Sequence, residues 1–97
     1  MFEILFTETA KDTLRGLERN PAKAGLVKQI KKSLGFLQTN PRHLSLNTHE
    51  YKGFRGPRGE KVFEAYAQNK TPGAYRIFWY YGPDKKQITI LAITPYP

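Results

Sequence analysis

The last third of this chain holds three strand-like runs, Val62 to Gln68, Ala74 to Tyr81 and Gln87 to Ile93, parted by Pro72-Gly73 and Gly82-Pro83. Proline and glycine at both breaks mark turns, so the runs read as consecutive strands of one sheet. After Ala74 the middle run is aromatic and β-branched except for Arg76. A guanidinium keeps its charge at any ordinary pH, so an arginine on a packed strand surface requires an anion or a carboxylate as partner.

Alternation assigns the faces. With Phe63, Ala65 and Ala67 packed under helices, Val62, Glu64, Tyr66 and Gln68 point the other way. On the next run Ile77 and Trp79 suit the core, which leaves Arg76, Phe78 and Tyr80 outward. Ile88 and Ile90 join the core, with Thr89 and Leu91 opposite, although that run is apolar on both sides. Glu64, Tyr66, Arg76 and Tyr80 are thereby gathered on one outward face. Thr94-Pro95-Tyr96-Pro97 follows, and its prolines are expected to stop the ladder and hold Tyr96 beside the sheet.

The first half reads as a short strand, Phe2 to Phe6, and two helices. Thr9 with Asp12 three residues later forms a capping-box pattern, and Ala10, Leu14 and Leu17 line one side of the first helix. Asn20-Pro21 closes that helix and opens the next, with asparagine as N-cap and proline at the first helical position. Leu26, Val27, Ile30, Leu34 and Leu37 then recur at helical spacing, and Lys28, Lys31 and Lys32 occupy the opposite side. No acidic residue lies between Ala22 and His49. Those lysines therefore lack ion-pair partners within their own helix and are available to a partner, or simply solvate the helix.

Asn40-Pro41 ends the second helix, and Arg42 to Lys61 shows neither helical nor strand periodicity. Lys52, Arg55, Arg58 and Lys61 stand there among four glycines and prolines. Glycines let a backbone approach phosphate and arginines supply forked donors, so the segment reads as a binding loop or a flexible connector. His43 and His49 lie in it, and His49 is a candidate base if the loop folds over the sheet.

Sixteen basic against eight acidic residues leave a net charge of +8, which with 13% aromatic residues favours a polyanionic partner, nucleic acid above all. A plainly soluble basic domain is the alternative. The 97 residues suffice for one domain, 1–97, with a single core. Absence of cysteine excludes a disulfide framework, a cysteine zinc site and a thiol nucleophile. The histidine spacing fits no metal motif, and no glycine-rich nucleotide loop occurs, so neither metal nor cofactor is expected. No apolar run approaches a membrane span and the chain opens on a strand, so a cytoplasmic protein without processing is expected.

Strand, two-helix hairpin, loop and three mainly antiparallel strands make an α+β order, β-α-α-β-β-β, that resembles the RelE/ParE superfamily of type II toxin–antitoxin toxins. The resemblance rests on Ala74-Tyr75-Arg76-Ile77-Phe78-Trp79-Tyr80 and Ile88-Thr89-Ile90-Leu91-Ala92-Ile93, with Asn40-Pro41-Arg42 and Leu44 to Gly53 in support. It implies an endoribonuclease that cuts messenger RNA on the ribosome by attack of a ribose 2′-hydroxyl on the adjacent phosphate. Arg76 then matches the phosphate-binding arginine. Its alternative is a structural ion pair with Glu64, or an antitoxin contact. RelE uses two lysines where this chain has Glu64 and Tyr66, so Glu64 becomes the candidate base. Tyr66 and Tyr80 become candidates for base stacking or phosphate contact, and Tyr96 for acid, orienting or stacking group. Lys28, Lys31, Lys32, Lys52, Arg55, Arg58 and Lys61 would grip RNA. The resemblance also implies a cognate antitoxin. The other reading it carries is a ParE-like inhibitor of DNA gyrase, or a toxin fold that binds without catalysis.

Overall fold

The computed structural model describes residues 1–69 and 71–96. Pro97, counted above with the tail, lies outside them. Strand β1 (Glu3–Phe6) leads into helix α1 (Glu8–Glu18), a 3-10 turn at Pro21–Lys23 and helix α2 (Ala24–Thr39). A second 3-10 turn at Leu44–Leu46 precedes β2 (His49–Arg55), β3 (Lys61–Tyr66), β4 (Tyr75–Tyr81) and β5 (Gln87–Pro95). The strands form one sheet in the order β1-β5-β4-β3-β2, antiparallel except for the β1–β5 pair.

The strand after the helices corrects the sequence reading, which expected a loop there. Periodicity failed to show β2 because it is bulged. His49 and Glu50 pair with Glu64 and Phe63, then the register shifts before Arg55 pairs with Lys61. The displaced residues curl the strand over the outward face of the sheet. Tyr51 folds back across Gly53, where a Cβ would sit 2.6 Å from its ring, so any larger residue there would displace the ring. The basic run ends in a tight hairpin: Gly59, at φ +85°, donates to Gly56 O, and Gly56 donates to Glu60 O.

Both helices pack on the inner face. Leu26, Ile30 and Leu37 of α2 bury against Ala65, Ile77, Trp79, Ile88, Ile90 and Ile93, with Phe63 and Ala67 beside them. The face assignment of β3 and β4 is therefore as alternation requires. The cap of α1 is different: Thr7, not Thr9, accepts from Ala10 N at 3.1 Å. A tertiary bond decides it, because the Thr7 hydroxyl also donates to Leu91 O at 2.9 Å. Leu91 is the extra residue of a bulge in β5, since Trp79 pairs with Ile90 and Phe78 with Ala92. The bulge turns Leu91 and Ala92 to the outer face and returns Ile93 to the core.

The tail also departs from expectation, for β5 continues through Pro95 opposite Tyr75. Tyr96 N donates to Ala74 O at 2.8 Å. Alternation then points the Pro95 nitrogen away from β4, to an edge that β1 no longer covers, so no ladder donor is lost. No helix among the described residues is long and apolar enough to cross a membrane.

Candidate functional site

The outward face of the sheet has two halves. Val62, Phe78 and Tyr80 form a second buried cluster with Tyr51, Leu91 and Ala92. The rings of Tyr51 and Phe54 lie 4.9 and 5.1 Å from that of Phe78, so the curled part of β2 roofs this half. Tyr80 is 6% exposed. That corrects its expected part as an outward RNA contact: the ring is core.

In the other half β3 and β4 set Tyr66 directly opposite Arg76, with Glu64 one pleat away on the same face. Glu64 is 2% exposed and Arg76 11%, and Arg76 Nε stands 3.6 Å from Glu64 Oε2. This separation is an ion pair beyond hydrogen-bond length. Both atoms are buried without a hydrogen-bond partner among the described residues. Arg76 Nη1 donates to Gln68 O at 2.8 Å and Tyr75 O at 3.3 Å. Its guanidinium carbon lies 3.7 Å from the Tyr66 ring centroid and 5.1 Å from that of Tyr96. Such stacking suits the planar, weakly hydrated cation and fixes its tilt.

His49, at the start of β2 opposite Glu64, brings its Nε2 to 2.7 Å from Glu64 Oε1. Its Nδ1 lies 3.0 Å from the carbonyl of Asn47. A carbonyl only accepts, so Nδ1 carries a hydrogen. The short contact at Nε2 then requires one more proton, held by the imidazole or by the carboxyl. Asn47 directs its carbonyl there from a left-handed conformation, φ 48°, which asparagine tolerates. His49 is 51% exposed and Tyr96 equally so, the first lying against Glu64 and the second beside Arg76.

Glu64, Tyr66, Arg76, Tyr96 and His49 are thus brought together. His43 is elsewhere, stacked 3.9 Å from the Phe36 ring. Of the basic residues, Lys28 and Lys32 are exposed on α2, and Lys52, Arg55, Arg58 and Lys61 are exposed around the β2–β3 hairpin. Lys31 is not free, because it forms a 2.8 Å ion pair with Glu18 of α1. The absence of acids within its own segment could not reveal a partner from the other helix. Sequence reading also gave Gln68 and Asn47 no role, yet each offers a carbonyl to the site. Asparagine two residues before the histidine was the available signal, as a residue type enriched at positive φ.

No family model matches the chain, and no curated protein matches it in sequence. Comparison of structures is informative: this is the fold of the RelE and YoeB/ParE toxins. A YoeB/ParE toxin from Agrobacterium tumefaciens superposes with a TM-score of 0.73 at 10% identity, over 99% of this chain and 100% of the other. The YoeB–YefM toxin–antitoxin complex from Staphylococcus aureus gives 0.69 at 15% identity over 100% and 99%. The intact RelBE toxin–antitoxin complex of E. coli gives 0.67 at 14% over 100% and 99%.

Proposed function

We propose that the chain is the toxin of a type II toxin–antitoxin system and a metal-independent endoribonuclease that cuts messenger RNA on the ribosome. The observation that carries this reading is the unclosed pair in the outer face. Glu64 Oε2 and Arg76 Nε are buried without hydrogen bonds, 3.6 Å apart. A ribose hydroxyl donates to such a carboxylate oxygen and a phosphate oxygen accepts from such a guanidinium, so a 2′-hydroxyl and its neighbouring phosphate complete what both groups lack.

In this reading His49 swings from Glu64 as RNA enters, retaining the proton that the pair held. Glu64 accepts the 2′-hydroxyl proton while the oxygen attacks phosphorus. Arg76, tilted by Gln68 O, Tyr66 and Tyr96, stabilises the charge that builds on the phosphoryl oxygens. His49 gives its proton to the departing 5′ oxygen. The products are a 2′,3′-cyclic phosphate and a 5′-hydroxyl end. Tyr96 is half-exposed at the rim and stacks a flanking base. Lys28, Lys32 and the hairpin cations hold the RNA backbone. An antitoxin with an acidic segment covers this face in the cytoplasm, in keeping with the net charge of +8 and with the solved toxin–antitoxin complexes of the same fold.

One observation favours the gyrase-binding alternative: Arg76 is already held by Gln68, Tyr75, Glu64 and two aromatic rings, as a structural arginine would be. Induced expression separates the two. The ribonuclease reading expects loss of translation with new message ends bearing cyclic phosphate. Arg76→Ala should reduce these a hundredfold or more, a loss on the order of 3 kcal/mol of transition-state stabilisation. Arrested replication with intact messages would assign the protein to gyrase instead.

A further inference from the structure

The chain enters β2 through a reversal at Asn47 that is pinned on both sides. Before it, Leu46 is fully buried, and its N–H donates to His43 O at 3.0 Å. After it, the Thr48 hydroxyl donates to Pro41 O at 3.0 Å. Asn47 N donates to Leu44 O at 3.1 Å, and the residue itself stands at φ 48°. A left-handed residue of this kind persists because its surroundings over-determine it. Asn47 is exposed, and what it contributes to the site is a backbone carbonyl, placed by a conformation that asparagine and glycine reach at least cost.

That carbonyl is aimed at the ring two residues on, 3.0 Å from His49 Nδ1. It accepts, so Nδ1 keeps its hydrogen, and Nε2, 2.7 Å from Glu64 Oε1, is the nitrogen free to exchange a proton. An imidazolium that gives its Nε2 proton to a departing oxygen becomes the neutral ring with hydrogen on Nδ1. This is the form that the carbonyl already holds, so the ring is oriented alike before and after the transfer. His43 shows the opposite arrangement. Its Nδ1 accepts from Ser45 N at 3.1 Å, which leaves the hydrogen of the neutral ring to Nε2. The two histidines of the chain are thereby set in opposite tautomers by their backbone partners.

We propose that Asn47 is a positioning residue for the reaction: its left-handed backbone fixes His49 in the Nδ1–H form and so makes Nε2 the atom that yields the proton to the leaving 5′ oxygen. Without that carbonyl either nitrogen would carry the hydrogen, and part of the population would present the wrong one. The inference rests on the ribonuclease reading and deepens it.

Two measurements test it. Long-range proton–nitrogen spectra of the purified protein, recorded with the imidazoles neutral, report which nitrogen of each ring bears hydrogen, the His49 signals being those missing from His49→Ala. The wild type should show His49 as Nδ1–H and His43 as Nε2–H. Cleavage of a message on ribosomes at saturating protein is then compared for the wild type, Asn47→Gly, Asn47→Val and Arg76→Ala. A β-branched residue is strained at positive φ, so Asn47→Val should move His49 toward the Nε2–H form and slow cleavage about tenfold, the worth of one good hydrogen bond, with half-saturation little changed. Asn47→Gly should keep the Nδ1–H form and most of the rate. Wild-type His49 in the Nε2–H form overturns the positioning role and leaves the ribonuclease, and this result decides even if valine unfolds the chain. A valine variant as fast as the glycine variant, or a glycine variant as slow as valine, overturns it equally. Absence of any Arg76-dependent cleavage overturns both.

Discussion

Replacing Glu64 by glutamine should destabilise the protein out of proportion to the modest look of its contacts. Glu64 and Arg76 are nearly buried and 3.6 Å apart. At an effective dielectric constant near 20 their attraction is about 4–5 kcal/mol, part of which offsets the desolvation of both groups. Glutamine leaves Arg76 charged without its counter-ion, but not stranded, because Nη1 keeps its bonds to Gln68 O and Tyr75 O. The expected loss therefore falls at the low end for breaking a buried pair, about 3 kcal/mol. The half-exposed His49 contact adds at most about 1 kcal/mol. In a domain of this size a loss of 3 kcal/mol lowers Tm by roughly 12–24 °C. Arg76→Gln should cost a similar amount, for it strands the carboxylate. The double variant carries neither charge and should be less destabilised than the sum of the singles by about 2 kcal/mol. Urea unfolding of the four proteins, followed by fluorescence of the single, buried Trp79, measures this coupling. A coupling below about 0.5 kcal/mol would refute the ion pair as an energetic unit.

His49→Ala should separate chemistry from stability: a half-exposed contact is worth at most about 1 kcal/mol, while under the proposed ribonuclease function loss of His49 as acid should slow RNA cleavage on the order of a hundredfold. Cleavage within threefold of wild type would remove His49 from the reaction. Thr7→Ala loses both the cap to Ala10 N and the bond to Leu91 O, and about 2 kcal/mol is expected in denaturant titrations, most of it restored by serine. Phe78→Ala empties the roofed half of the outer face and should cost about 3–5 kcal/mol. Phe54→Ala, at a ring 40% exposed, should cost less than half as much, and equal losses would mean that β2 is no mere roof.

The inner face was written in the sequence at a period the eye can follow. Ile77 and Trp79 alternate on β4, Leu26, Ile30 and Leu37 recur on α2, and all five bury as those periods require. What stayed hidden were the places where the period breaks. In β2 the bulge sets Tyr51 and Phe54 three residues apart yet brings both to Phe78, a spacing that suits neither strand nor helix. In β5 the extra Leu91 makes Ile90 to Ile93 read as apolar on both sides, and the bond that holds the bulge comes from Thr7, far away in sequence. Three of the site residues, Glu64, Tyr66 and Arg76, were legible because alternation puts them on one face, whereas Tyr96 entered through the resemblance of the tail and Tyr80, read onto the same face, is core. The burial of those three was not legible, since it depends on the strand that the sequence concealed.

That strand also explains why the site stands where it does. An antiparallel sheet with helices on one side leaves the other face to water unless something covers it. Here the cover is β2, and its bulged part reaches only as far as Val62, Phe78 and Tyr80. Its regular start places His49 over Glu64, so at the end of the cover one imidazole does the work that the rings of Tyr51 and Phe54 do further along. A carboxylate at this boundary loses its water and yet lies one side-chain rotation from solvent. Deeper under the roof no ligand could reach it, and on the open face nothing would hold it unsolvated beside Arg76. The bulge therefore determines more than the shape of an edge strand, because moving it by one pleat would either bury the pair beyond use or dissolve it.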